Sequence, residues 1–134
     1  MHVLALVDDL LFASRIGEAA RSVGLEMRNV RDPQAALERS REDRPGAVLL
    51  DLDRERLRPV EAVRLLRGEP RLAGLEIVGF ASHVHEERIR EAEEAGCTRV
   101  LSRGAFVRAL PDLMARLSGR ACPEPPGMAP TAES

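Results

Sequence analysis

Asp8, Asp9 and Asp51 carry the strongest chemical argument in the chain. The pair "DD" follows the apolar run "VLALV", and Asp51 follows "AVLL", with Asp53 two residues beyond it. If these runs are neighbouring parallel strands, right-handed crossovers bring their carboxyl ends to one crevice where the strand order reverses. The three carboxylates then share a small pocket, and like charges about 4 Å apart repel by roughly 4 kcal/mol at an effective dielectric of about 20. A cation must offset that repulsion. A magnesium ion suits hard oxygen ligands, and an arginine, whose planar fork can bridge two carboxylates, is the alternative. A plainer reading, in which the aspartates sit at strand ends and cap the following helices, accounts for the same spacing.

Other residues point less clearly to chemistry. His83 and His85, in "SHVHEE", can be read as metal ligands, but alternating spacing at a helix start suits capping and solvent exposure better. Cys97 and Cys122 stand far apart without a CxxC spacing, so neither a zinc site nor a disulfide framework is indicated, and a reducing cytoplasm is the expected location.

The elements that would position these residues show as short apolar runs alternating with longer amphipathic stretches, the pattern of βαβ units around a parallel sheet. Residues 3–7, 47–52 and 75–80 are nearly continuous in apolar residues and are predicted as central strands, covered on both faces. Residues 25–30 alternate apolar with polar and should be more exposed, and 98–102 should form a short last strand. Phe12, Ile16, Ala19, Ala20 and Val23 recur at helical spacing ahead of Gly24. Asp32 and Pro33 have the types wanted at the cap and first position of a second helix. A third helix near 59–67 should bury Ala62, Val63, Leu65 and Leu66, and a charged fourth runs over 86–95 to Gly96. Phe106, Leu110, Leu113, Met114 and Leu117 line a fifth. The expectation is a doubly wound, three-layer (βα)5 domain over residues 1–118. A disordered, proline-rich tail, or else a linker to a further domain, is expected over 119–134.

Composition narrows the function. A formal net charge of -2 gives no field to steer the chain toward nucleic acid, and 2% aromatic residues provide no base-stacking platform. The first apolar segment is too short to span a membrane, and it lacks a signal-peptide pattern. Neither nucleic acid nor a membrane is the expected partner. All 20 basic residues are arginine.

In these residues the chain resembles the receiver domain of bacterial two-component response regulators, over residues 2 to about 118. The likeness rests on the Asp8–Asp9 pair, on the lone Asp51 after the third strand, and most specifically on "EAGCTRVLSRGAF". The resemblance implies a CheY-like, flavodoxin-like fold with parallel strand order 2-1-3-4-5. It also implies metal binding by Asp8, Asp9, Asp51 and the backbone carbonyl of Asp53, with weakly held magnesium as the cofactor. Asp51 would accept a phosphoryl group from a histidine kinase, a chemistry dominated by positioning and charge neutralisation. Cys97 would occupy a small buried position, and Ile89 and Arg90 would lie on the surface that meets protein partners.

The switch positions depart from the family pattern. Thirty residues after Asp51, where the family has a threonine or serine, stands Ala81, whose methyl group cannot donate. Ser82 can take over only if the strand has already ended, because neighbouring strand residues face opposite ways. Val100 replaces an aromatic residue, Arg103 a lysine and Gly104 a proline. The expected protein is therefore a stand-alone atypical receiver, or pseudo-receiver, acting through protein contacts in phosphorelay signalling, and not an enzyme. The alternatives are a conventional receiver phosphorylated on Asp51 and a phosphotransfer enzyme of the haloacid dehalogenase type, suggested by "LLDLD". A flavodoxin-like cofactor binder shares the topology, but "DDLLFAS" would repel a phosphate where it needs to bind one.

Overall fold

Strands that are apolar on both faces belong at the centre of a sheet, with helices on either side. The computed structural model describes residues 1–82 and 85–119; His83, Cys122 and all of the expected tail beyond Gly119 lie outside the described residues. The elements follow one another as β1 (His2–Leu6), α1 (Leu10–Arg21), β2 (Glu26–Val30), α2 (Pro33–Glu42), β3 (Ala47–Asp51), α3 (Pro59–Arg67), β4 (Glu76–Ala81), α4 (Glu86–Ala95), β5 (Arg99–Ser102) and α5 (Arg103–Gly119). All strand pairs are parallel, in the order β2-β1-β3-β4-β5. The switch in strand order falls between β1 and β3, at the ends that carry the aspartates.

Alternation along the strands splits the core into two layers. Leu4, Leu6, Val48, Leu50 and Ile77 pack with Ala36, Ala62, Val63, Leu66 and Ala92, that is, with α2, α3 and α4. Val3, Ala5, Leu49, Val78 and Phe80 pack with Ile16 and Ala20 of α1 and with Phe106, Leu110, Leu113, Met114 and Leu117 of α5. Local signals set the helix ends: Asp32 accepts from the Ala35 amide at 2.8 Å, and Pro33 and Pro59 open their helices. Leu25 donates back to the Ala20 carbonyl around Gly24, which takes a φ of 82°.

One detail corrects the sequence reading and two refine it. Leu65 is only half-buried, on the edge of the α3 stripe. Ile89 is half-buried against the core, so of the two partner-face residues only Arg90 is exposed, and it pairs with Glu87. α5 starts at Arg103, directly after β5, so Arg103 and Gly104 are helical, and Ser102 Oγ accepts from the Ala105 amide at 3.1 Å.

One close approach positions the loop after β3. A methyl group on Gly79 would lie 2.9 Å from Leu52 Cδ1, so the bare backbone of β4 lets Leu52 settle over it. The Leu52 amide then donates to the Phe80 carbonyl at 2.9 Å, which fixes where Asp53 and Arg54 leave the sheet.

Candidate functional site

Asp51 ends β3 with no exposed surface. Its Oδ1 accepts from the Asp53 amide at 3.0 Å and from Arg103 Nη1 at 3.2 Å. Its Oδ2 is buried without a hydrogen bond and lies 3.9 Å from Arg54 Nε. Asp8 is arranged similarly: Oδ2 accepts from Arg56 Nε at 2.8 Å, and buried Oδ1, also without a hydrogen bond, lies 3.5 Å from Arg54 Nε. Asp9 caps α1 by accepting from the Leu11 and Phe12 amides at 2.9 and 3.4 Å, and its other oxygen lies 4.0 Å from Arg54 Nη2. The fold thus gathers all three carboxylates around a single guanidinium. Capping accounts for Asp9 alone.

Burial drives the Asp51 carboxyl above its ordinary value of 3.8; the Asp53 amide and Arg103 pull it back only in part, and the neighbouring Asp53 charge adds to the rise.

Asp53 lies at the centre of a second cluster, and it does so through its side chain. The Ser82 amide reaches both carboxylate oxygens, at 3.1 and 3.0 Å. Ser82 Oγ donates at 3.2 Å, Arg103 Nη1 at 3.1 Å, and His85 Nδ1 lies 2.6 Å away. Desolvation pushes the Asp53 carboxyl up, but the hydrogen bonds from His85, Ser82 and Arg103 outweigh it and hold the group below the ordinary carboxylate range. The backbone carbonyl of Asp53, which the family resemblance assigns to a metal, accepts from Arg88 Nη1 at 3.0 Å.

β4 ends at Ala81, so Ser82 lies past the strand and can face Asp53. Ala81 itself is fully buried in the core layer of α2, α3 and α4, Val100 is half-buried against that layer, and Gly104 is exposed in the first turn of α5. His85 occupies the cap position of α4 without making a capping bond, because its ring is turned to Asp53. The expected capping role is therefore replaced by a hydrogen-bond contact with Asp53. Cys97 is half-buried, and burial pushes its thiol up to about 12, which leaves it unreactive as a thiolate near neutral pH. Among the described residues, no three His, Cys, Asp or Glu side chains are grouped to hold one metal ion.

Several contributors were not visible in the sequence. Arg54, Arg56 and Arg88 supply most of the positive charge beside Arg103, yet they reach carboxylates and carbonyls far away in the chain. The Arg103 guanidinium also lies over the Phe12 and Phe80 rings, 4.4 and 5.2 Å from their centroids. Beside the site, Leu10 and Leu11 are 79% and 77% exposed.

With this geometry in place, comparison with known proteins assigns the fold. No family model matches the sequence. The chain is 32% identical over 129 residues to the transcriptional activator protein ExaE of Pseudomonas putida, an alignment covering 92% of this chain and 58% of that protein. It thus spans little more than half the length of that curated relative. Among solved structures, a response regulator in red light signaling of R. palustris is 24% identical with a TM-score of 0.67, over 84% of this chain and 90% of that one. The receiver domain of a sensor histidine kinase from Pseudomonas aeruginosa PAO1, described with magnesium coordinated in its active-site cleft, is 20% identical with a TM-score of 0.74, over 88% and 97%. The fold is that of response regulator receiver domains, with strand order 2-1-3-4-5. Among the described residues no helix is long and apolar enough to cross a membrane.

Proposed function

We propose that this chain is an atypical receiver domain of two-component signalling, which works through protein contacts while phosphorylation of Asp51 is weak or absent. The observation that carries this reading is the state of Asp51: fully buried, tied to Arg103, and facing Arg54 with its remaining oxygen. A phosphoryl donor would have to displace an arginine to reach that oxygen. Ala81 offers no hydroxyl to a phosphoryl oxygen, and the hydroxyl of Ser82, which lies past the end of β4 and could take its place, is already engaged by Asp53. The two exposed leucines beside the site and the exposed Arg90 on α4 are candidate contact points for a protein partner, such as a histidine kinase or a downstream signalling protein.

Magnesium fits part of this site. Asp8 Oδ1 and Asp51 Oδ2 are buried carboxylate oxygens without hydrogen bonds, a donor type that suits a hard cation, and these two residues would hold it. The ion would supply neutralising charge to a phosphoryl group. Arg54 competes for the same oxygens, and the Asp53 carbonyl is taken by Arg88, so weak affinity is the expectation.

The second reading, a conventional receiver phosphorylated on Asp51, rests on that same unbonded Oδ2. Intact mass after incubation with magnesium and acetyl phosphate separates the two, with Asp51→Asn as control. Little or no adduct supports the atypical reading. A stoichiometric adduct that disappears in Asp51→Asn would overturn it.

A further inference from the structure

The unusual feature of this site is what occupies the donors around Ser82. The Ser82 amide and hydroxyl, the His85 ring and Arg103 Nη1 all converge on one carboxylate, the side chain of Asp53. A backbone amide, a hydroxyl, an imidazole and a guanidinium pointing at one place make a typical oxyanion cradle, with charge-assisted bonds doing most of the holding. The occupant arrives on a short tether, two residues after Asp51, and Arg103 Nη1 spans the two carboxylates at 3.2 and 3.1 Å. Arg88 fixes the tether by bonding the Asp53 carbonyl and, through its other nitrogen, Glu55.

We propose that the Asp53 carboxylate is a built-in ligand, filling an oxyanion cradle formed by Ser82, His85 and Arg103 that would otherwise take a tetrahedral oxyanion such as phosphate. The filled cradle joins three connections of the sheet: the loop after β3, the link from β4 to α4, and the first turn of α5. These links are held together by the chain itself, without an added phosphoryl group. The Asp53 carboxylate competes for the cradle as an intramolecular ligand, at an effective concentration set by its short tether. This deepens the reading proposed above and rests on it only for what the filled state signals; the cradle itself rests on the contacts.

The test is a titration of the whole protein with inorganic phosphate, without magnesium, following the Ser82 amide and the Arg103 side-chain signals by NMR. Wild type should show no saturable shift at Ser82. Asp53→Ala should show one, with an apparent affinity at least about tenfold tighter than any seen in wild type. That response should be lost again when Arg103→Gln is added. Phosphate moving the wild-type Ser82 signal as strongly as that of the variant would overturn the proposal, because Asp53 would not be holding the cradle. A folded variant that does not bind phosphate would overturn it too. Should Asp53→Ala not fold, Asp53→Ser, whose side chain is too short to fill the cradle, is read by the same two outcomes. An Asp51 adduct in the mass experiment would sink the atypical reading without touching this titration, and failure of the titration would leave the mass result standing.

Discussion

Replacing Arg103 with alanine tests whether this residue is the structural counterion of the site. Its guanidinium holds two carboxylates, one of them fully buried, and covers two aromatic rings. Breaking a buried pair from one side costs about 3 to 5 kcal/mol, because the remaining charge has lost its partner. Two facts lower that figure. Asp53 keeps Ser82 and His85, and Asp51, whose pKa burial already raises, can escape part of the penalty by taking a proton. The lost contact with the ring faces adds about 0.5 to 2 kcal/mol. A net loss of about 3 kcal/mol near neutral pH follows, measurable by urea unfolding. The informative measurement is the cycle with Asp51→Asn: once the buried charge is gone, removing Arg103 should cost at least about 1 kcal/mol less. Arg103→Lys should recover less than half of the loss, since the ammonium keeps the charge but not the planar fork. If the single effects of Asp51→Asn and Arg103→Ala add to within about 0.5 kcal/mol, the pair is not coupled and the reasoning fails.

The raised carboxyl of Asp51 gives stability that is complete below its unfolded pKa and lost as pH rises through the folded one, whereas the depressed carboxyl of Asp53 gives stability present above its unfolded pKa and lost as pH falls through the folded one. Thermal melts should therefore find Asp51→Asn more stable than wild type near neutral pH and Asp53→Asn less stable, with both differences shrinking in acid. Arg54→Ala should tighten magnesium binding several-fold in a calorimetric titration, because Asp8 and Asp51 lose the cation that faces their unbonded oxygens; unchanged affinity would mean that Arg54 does not compete. Gly96→Ala should destabilise the fold by about 1 to 3 kcal/mol, since φ is 122° there and the new methyl group would lie 2.8 Å from Arg67 Cγ. A variant as stable as wild type in urea would show that Arg67 moves freely, although it donates to the Gly96 carbonyl at 2.8 Å.

The sequence made the framework readable where the cause was local. The apolar runs at β1, β3 and β4, the Asp32–Pro33 start of α2 and the glycine after α4 all act within a few residues of themselves. Convergence of Asp8, Asp9 and Asp51, and the need for a cation among them, followed from topology and Coulomb repulsion. Arg103 was legible through the family resemblance, at the lysine position, but that Arg54, Arg56 and Arg88 join it was not readable, because 20 arginines offer the same charge and only the folded loops say which reach the pocket. Ser82 turned on a single residue at the end of β4, and strand ends are set by tertiary hydrogen bonds that a local pattern does not contain. His85 was misread for a similar reason: its partner Asp53 lies on another connection, 32 residues back.

The aromatic residues have a practical consequence. All three phenylalanines of the chain meet in one stack, with ring centroids 4.8, 6.0 and 4.3 Å apart, and there is no tyrosine or tryptophan. Arg103 caps that stack on the side of the carboxylates. The near-ultraviolet circular dichroism of this protein in the phenylalanine region therefore comes from a single place, directly beneath the site. Any ligand, partner or substitution that moves Arg103 changes that spectrum, so the protein carries its own label-free reporter of the state of its pocket.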